Sequence, residues 1–416
     1  MLYALLNALL YIGLLIWYWR KRHKVDCGFM MITIWSFVAV ICFFYYTTVP
    51  NLYHLQLWPF LYLFLGFTLY NRFFFKKQSD VLNVTKFTEA QNRVIDYICY
   101  FYIFCVIINI LSAGYDLSSF SLSNVQENAS DSYDQFHTAD AWHSNSLLER
   151  VTVNYAVWFM NVAIIGGFNW LVRGKISQGL GLLGILVLDQ GMKNIQIAAR
   201  GSLFFFVLLL IAVYLIYKDY IERKTRRSLI QLAAISGGVL FLYVLAITIS
   251  RFADSDSGSS GSLFMYFGQS MLNFNYGVAD SLNGTYMGAR TFRNILGLQD
   301  YSFNADIMLG THVGTGFTTV IGSLCLDFGF IGTIVLGIVL PWLLMRLIKF
   351  DNSIGGVYIY IFYFHRMMNG VFVNGPGADS AYISMLIVYM VLFISMRLTM
   401  RKKKKQNKIF VAKNEA

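Results

Sequence analysis

Long apolar stretches alternate with short polar connections along almost the whole chain. Each stretch approaches the ~20 apolar residues that a helix needs to cross a bilayer. The predicted spans are residues 2–19, 28–47, 56–75, 95–113, 152–172, 177–198, 203–217, 229–249, 328–345, 354–372 and 381–397. A soluble α/β protein would not keep charges out of so many consecutive stretches of this length. The pattern therefore predicts an all-α, polytopic integral membrane protein with about eleven transmembrane helices.

The basic residues indicate the orientation of these spans. Of 33 lysines and arginines, 26 lie in six segments on one alternating side of the predicted spans. Those segments are residues 20–26, 72–93, 173–176, 218–227, 346–349 and 397–416. By the positive-inside rule they are cytoplasmic, so the N-terminus lies on the outer side and the C-terminus is cytoplasmic. The basic tail 401–416 is then expected to bind anionic lipid headgroups, and we predict no nucleic-acid partner.

Two connections on the predicted outer side are much longer than the others, at 114–150 and 251–316. The first is rich in serine, asparagine and aspartate, which is typical of a disordered segment or a mobile lid. The second contains an aromatic stretch at 262–277, which predicts a helix in the outer interface. We expect one membrane domain over 1–400 that carries both periplasmic loops. The five cysteines and the histidines follow no metal-ligand spacing, so no metal site is predicted.

A few arginines lie on the predicted outer side, where the positive-inside rule does not explain them. Arg290 and Arg293 are three residues apart, and on a helix both would project from one face and suit an anion. Arg200 begins the seventh span at the outer surface, as an interfacial anchor or as part of a site. Arg366 interrupts the tenth span in its outer half, either snorkelling to headgroups or lining a polar site. Arginine forks bind phosphate bidentately, so these positions favour an anionic ligand.

A helix break is predicted inside the apolar run 316–346. As one helix this run would be ~45 Å long, which exceeds the ~30 Å hydrocarbon core. Asp327-Phe328-Gly329 supplies the break, so we expect a short outer arm at 317–326 and a span from 328 onward. On the tenth span, Asn369 follows His365 by four residues and Arg366 by three. One helix face there presents an imidazole, a cation and an amide to the outer side.

The chain resembles the bacterial oligosaccharide repeat-unit polymerases, the Wzy-type O-antigen or capsule polymerases. Three features carry the resemblance: Ala199-Arg200-Gly201-Ser202 before an apolar helix, the long late outer loop, and the glycine-flanked segment 316–332 around Asp327-Phe328-Gly329. It implies a GT-C-like membrane glycosyltransferase in the bacterial inner membrane that needs no metal or cofactor. It also implies that a growing undecaprenyl-diphosphate-linked glycan is transferred to a single lipid-linked repeat unit on the periplasmic face. A chain-length regulator and a flippase are further implied partners.

Such a transfer needs groups that hold a diphosphate, stabilise its charge as it leaves, and deprotonate an acceptor hydroxyl. For the diphosphate the resemblance favours Arg200 and Arg366, while Arg290, Arg293 and Asn369 help to hold substrate.

Three residues remain candidates for the general base. His312 and His365 lie on the predicted outer side, and an imidazole titrates in the range that base catalysis requires. Asp327 is assigned to substrate binding, with base catalysis and helix capping as alternatives.

Other functions are compatible with the same architecture. An O-antigen ligase would share the donor and transfer the glycan to a lipid A core. A flippase or another transporter would also be polytopic, but internal repeats and several charges at mid-membrane depth are expected there, and neither is found. A glycan acyltransferase is disfavoured because no convincing histidine-aspartate pair lies in a cytoplasmic segment.

Overall fold

A computed structural model describes residues 1–76, 81–82, 87–112, 147–197, 200–231, 233, 237–238, 258–282, 284–298, 318–351, 354–372 and 378–414. In these ranges the regular secondary structure is helical, and there is no strand. The long helices are α1 (Leu2–Arg22), α2 (Cys27–Thr48), α3 (Leu57–Asn71), α4 (Glu89–Ser112), α5 (Leu147–Val172), α6 (Ile176–Ile197), α7 (Arg200–Tyr217), α8 (Gly258–Asn273), α9 (Thr319–Asp351), α10 (Ile354–Asn369) and α11 (Ala378–Asn414).

Six helices in the described ranges are long and apolar enough to cross a membrane, namely α1, α2, α4, α5, α9 and α11. The all-helical class and the presence of several candidate spans are therefore confirmed. α6 and α7 are also apolar over much of their length, but their apolar parts are shorter. The predicted span 229–249 lies largely outside the described residues, and the total of eleven spans stays a prediction, as does the GT-C-like architecture.

The chain divides into two compact units. The first contains Met1–Val81, Phe252–Lys349 and Phe362–Ser384. The second contains Leu82–Arg251, Phe350–Ile361 and Met385–Ala416.

In the first unit, α1 and α8 both pack against α2. Tyr11, Trp35 and Phe67 form a buried aromatic cluster, with the Trp35 and Phe67 ring centroids 4.8 Å apart. Gly268 allows the close approach of α8, because a Cβ there would come within 2.9 Å of the Ile41 carbonyl oxygen. The predicted aromatic helix at 262–277 is thus present as α8, which continues into a π-helix at Phe274–Val278.

In the second unit, Asp96 on α4 fixes the connection between α5 and α6. Its carboxylate accepts hydrogen bonds from Trp170 Nε1 at 2.6 Å and from Lys175 Nζ at 3.0 Å. Arg173 adds a bidentate pair at 2.6 and 3.1 Å. The acid is therefore fully paired inside its own unit, which is the condition for keeping a poorly solvated carboxylate.

The predicted break in the apolar run 316–346 is confirmed. Gly329 has φ 70° and ψ 177°, which interrupts α9. A left-handed φ favours glycine, since a Cβ there would crowd the backbone. The segment after the break is held by the hydroxyl groups of Tyr62 and Thr333. Tyr62 donates to the Phe330 carbonyl at 2.6 Å, and Thr333 donates to the Gly329 carbonyl at 2.8 Å.

Candidate functional site

The loop of residues 284–298 closes over the break in α9. The Tyr286 amide donates to the Leu326 carbonyl at 3.0 Å, and the Gly288 amide donates to the Asp327 carbonyl at 3.0 Å. A helix break leaves such carbonyls without their usual partners, so the loop satisfies them. Gly288 has φ 86°, and a Cβ there would come within 2.8 Å of the Phe328 ring. Glycine at 288 therefore allows the loop to dock against the break.

The side chain of Asp327 lies beneath this loop and is only 2% exposed. Its Oδ2 accepts a hydrogen bond from the Thr291 hydroxyl, which is a contact between residues 36 positions apart. The backbone amides of Arg290 and Thr291 face the same carboxylate, but Oδ1 accepts no hydrogen bond from any described residue. A buried acceptor without a partner costs about 1–3 kcal/mol, and more when it is charged.

Arg290 supplies the compensating charge. It is buried in the same loop, at 8% exposure, and interacts electrostatically with Asp327. Burial lowers the pKa of the Arg290 guanidinium, while the negative charge of Asp327 raises it. The loop and the helix break thus enclose an arginine and a carboxylate in a poorly solvated region. Charges at a given distance interact more strongly there than in water.

The opposite side of the loop is fixed by Asp379, in the first turn of α11. The Asp379 amide donates to the Thr291 carbonyl at 3.0 Å. Its carboxylate accepts from Asn294 Nδ2 at 3.1 Å and from the Ile295 amide at 2.8 Å. The loop is therefore held between the break in α9 and the start of α11.

Arg366 adjoins the same turn of α11. Its guanidinium lies 5.8 Å from the centroid of the Tyr382 ring, within range of a cation–π interaction. Tyr382 follows Asp379 by three residues, so both lie on neighbouring positions of one helix face. The ring of Phe362 contacts Tyr382 from α10 at 6.0 Å. The start of α11 thus connects Arg366 to the loop that covers Asp327.

The segment that carries Arg290 and Arg293 differs from the helix considered for it. Residues 287–297 form consecutive turns, with Gly288 and Gly297 near the two ends at φ of 86° and 67°. Arg290 is buried beside Asp327, whereas Arg293 Nε donates to the Leu298 carbonyl at 2.9 Å. The two arginines consequently have separate environments within the loop.

Of the remaining candidates, the structure describes two in full and one in its backbone alone. His365 and Asn369 are partly exposed near the end of α10. That end contacts the start of α9, where the Val320 amide donates to the Gly370 carbonyl at 2.6 Å. Arg200 begins α7 in the second unit, but its side chain lies outside the described part of the chain, as does the whole of His312.

Three residues of this arrangement were not singled out by the sequence: Thr291, Asp379 and Tyr382. Thr291 lies between the two loop arginines, and Asp379 is an acid at the start of an apolar stretch. Acids at membrane depth usually have a dedicated partner, so Asp379 could have been identified from the sequence. Thr291 and Tyr382 could not, since such residues are common in loops and at membrane interfaces.

Comparisons with family models, with curated proteins and with solved structures found no match to this chain. The resemblance to repeat-unit polymerases therefore depends on the sequence features alone. Among the described residues, no group of three or more histidine, cysteine, aspartate or glutamate side chains could hold a metal ion.

Proposed function

We propose that this protein is a membrane glycosyltransferase that polymerises lipid-linked oligosaccharide repeat units into a surface polysaccharide. One observation carries the proposal. A buried carboxylate with an unpaired oxygen, Asp327, lies beside a buried arginine at a helix break, under a loop whose far side adjoins Arg366. The buried pair can hold the loop in place, and the cation at its far side, Arg366, is suited to a reaction in which an anion leaves.

Arg366 is the proposed ligand of the undecaprenyl diphosphate. It is partly exposed, whereas Arg290 is buried. A guanidinium binds a diphosphate in bidentate fashion and stays charged at neutral pH. Arg290 and Asp327 would then act as positioning residues, holding the loop in place. Arg293 and Asn369 remain proposed contacts to substrate, and Arg200 in the second unit stays a sequence-based proposal.

The proposed chemistry balances without a further reactant. The bond between the anomeric carbon of the donor and the diphosphate oxygen breaks, and undecaprenyl diphosphate leaves with the bonding electrons. A hydroxyl oxygen of the acceptor repeat unit forms the new glycosidic bond, and a general base takes its proton. His365 is the proposed base within the described residues, and His312 is the alternative. Arginines provide the positive charge at the leaving group, so the proposed transfer requires no metal.

The surface polysaccharide of cells that lack the gene tests this proposal. We expect single-repeat products on a gel, because unpolymerised units still reach the cell surface. Long chains that are not attached to a lipid A core would indicate an O-antigen ligase instead. Precursors trapped in the cytoplasm would indicate a flippase. Normal long attached chains would contradict all three functions.

Variants of Arg366 then test the site. Arg366→Ala should abolish polymerisation while the protein still reaches the membrane. Arg366→Lys should retain a small part of it, because lysine keeps the charge and loses the planar fork. Arg346→Ala is a matched control, since Arg346 also lies over an aromatic ring, that of Trp342 at 5.4 Å, but in a predicted cytoplasmic segment. Normal chain lengths in Arg366→Ala would refute the assignment.

A further inference from the structure

An exposed aromatic and polar surface lies at the start of α3. It consists of Gln56, Trp58 and Asp280, and we call it the Trp58 platform. The Trp58 indole is 43% exposed, and its Nε1 donates to Gln56 Oε1 at 2.7 Å. Gln56 Nε2 in turn donates to Asp280 Oδ1 at 2.8 Å. These two hydrogen bonds fix an indole, an amide and a carboxylate side by side on the surface.

Asn275 holds this platform from beneath. Its side chain is fully buried and lies in the π-helix that follows α8. Asn275 Oδ1 accepts a hydrogen bond from the backbone N–H of Gln56 at 3.0 Å. Its Nδ2 donates to the backbone carbonyl of Gln56 at 2.7 Å. The buried amide therefore pairs with both backbone groups of Gln56. Single-turn π-helices are frequent at functional sites.

The platform adjoins the helix break in α9. The Trp58 and Phe330 ring centroids are 5.4 Å apart with an interplanar angle of 75°. Phe330 directly follows Gly329, and its ring also contacts Tyr62 at 5.2 Å. The platform and the loop over Asp327 thus approach the same break from two sides of one unit. By the distribution of basic residues, both belong to the predicted outer side.

From this geometry we infer that the Trp58 platform is a carbohydrate subsite, which binds sugar residues of the lipid-linked substrate; this inference rests on the proposed function. An exposed indole offers a flat apolar surface to the C–H face of a pyranose ring. The second Nε2 hydrogen of Gln56 and the Oδ2 atom of Asp280 have no partner in the described part of the chain. They are a donor and an acceptor that sugar hydroxyls can use.

The charge of the platform separates this subsite from the diphosphate site. Asp280 is exposed and carries a negative charge, and the platform itself contains no cation. A diphosphate would be repelled there, whereas neutral hydroxyls would be bound. A tryptophan that serves only as an interfacial anchor needs no such arrangement, because its N–H can bond to headgroups or water. The ordered Gln56–Asp280 pair therefore favours glycan recognition over anchoring.

Glycan binding to the purified full-length protein tests this inference. The probe is the free oligosaccharide obtained by mild acid hydrolysis of the surface polysaccharide of the source cell, and Kd is measured by calorimetry. We expect Trp58→Ala to weaken binding by about tenfold or more, because the stacking surface is lost. Trp342→Ala is the matched control, since Trp342 is 45% exposed and lies near the cytoplasmic end of the predicted span 328–345. Equal affinities for the two variants would overturn the inference.

A second variant keeps the test decisive if Trp58→Ala fails to fold. Gln56→Ala removes the amide and leaves the exposed ring, and we expect it to weaken binding by about fivefold through a lost hydrogen bond. Unchanged affinity of the folded Gln56→Ala protein would contradict the subsite.

The failures of the two proposals can be distinguished. Binding that depends on Trp58, together with normal polysaccharide in cells lacking the gene, would refute the polymerase and retain a carbohydrate site. Single-repeat products in those cells, together with Trp58-independent binding, would refute the subsite and retain the polymerase.

Discussion

Replacing Thr291 by valine tests how the loop of residues 284–298 is held over the break in α9. Valine has nearly the shape of threonine but lacks the hydroxyl that donates to Asp327 Oδ2. Because Oδ1 already lacks a partner among the described residues, the variant would leave both oxygens of a buried carboxylate without a side-chain donor. The closed loop should therefore become less favourable relative to an open one in which Asp327 is hydrated.

The magnitude follows from the burial of both groups. Thr291 and Asp327 are 7% and 2% exposed, so solvent does not replace the lost hydrogen bond while the loop is closed. Loss of the hydroxyl hydrogen bond to a buried carboxylate costs about 1–3 kcal/mol, although the backbone amides of Arg290 and Thr291 still face it. This corresponds to an increase of about 5- to 150-fold in the equilibrium constant for loop opening. The backbone hydrogen bonds of Tyr286 and Gly288 to α9 should open together with the loop.

Hydrogen exchange of the purified protein measures this opening directly. Amides in the peptide 284–298 should exchange faster in Thr291→Val, whereas those of α1 should be unchanged. Thr291→Ser is the matched control, since it keeps the hydroxyl and should exchange nearly as the wild type does. If Thr291→Val showed the same exchange as Thr291→Ser, the hydrogen bond to Asp327 would not hold the loop.

Two further predictions concern the stability of each unit. Gly329→Ala places a side chain at φ 70° and should lower the melting temperature through a cost of about 1–2 kcal/mol, whereas Gly13→Ala, with nothing within 4 Å of its Cβ, should be neutral or stabilising. An equal or greater loss in Gly13→Ala would contradict this. Asp96→Asn should destabilise the second unit by about 1–3 kcal/mol, because the partly buried acid loses its charge-assisted bonds. Glu89→Gln, which removes an exposed ion pair, should change stability by less than about 0.5 kcal/mol. Similar unfolding temperatures for these two charge variants would refute the reasoning.

The break in α9 was predictable because a physical length limit applied to it. The apolar run was too long for one straight span, and Asp327-Phe328-Gly329 contained the only acid and a glycine at the right depth. The structure confirms that position through the left-handed φ of Gly329. The all-helical class was predictable for a similar reason, since a bilayer requires every backbone hydrogen bond to be satisfied within the segment.

The partners of Asp327 and Arg366 could not be predicted from the sequence. The Thr291–Asp327 contact joins residues 36 positions apart, and no local pattern encodes such a pairing. Spacing alone suggested that Arg290 and Arg293 share a helix face. In the structure the segment forms consecutive turns bounded by left-handed φ angles at Gly288 and Gly297, and of the two arginines only Arg290 is buried. The exposed Trp58 platform could likewise not be predicted, because its members come from two distant segments of the chain.

The charged and polar groups of the site differ in burial, and their proposed roles differ accordingly. Arg290 and Asp327 are enclosed and can act on substrate only through the loop that they hold. Arg366, His365 and Asn369 remain partly exposed at the end of α10. Replacing a buried member should therefore alter loop opening as well as activity, whereas replacing Arg366 should alter activity alone. Hydrogen exchange and polymerisation measured on the same variants separate these effects.

Reconstitution of the purified full-length protein tests the central claim most directly. The protein is placed in liposomes with undecaprenyl-diphosphate-linked repeat units as the only substrate, and the products are separated on a gel. The proposed function predicts a ladder of products that differ by one repeat unit, which is absent with Arg366→Ala and present with the Arg346→Ala control. A folded wild-type protein that yields only single repeat units, or an Arg366→Ala protein that yields the same ladder, would contradict it.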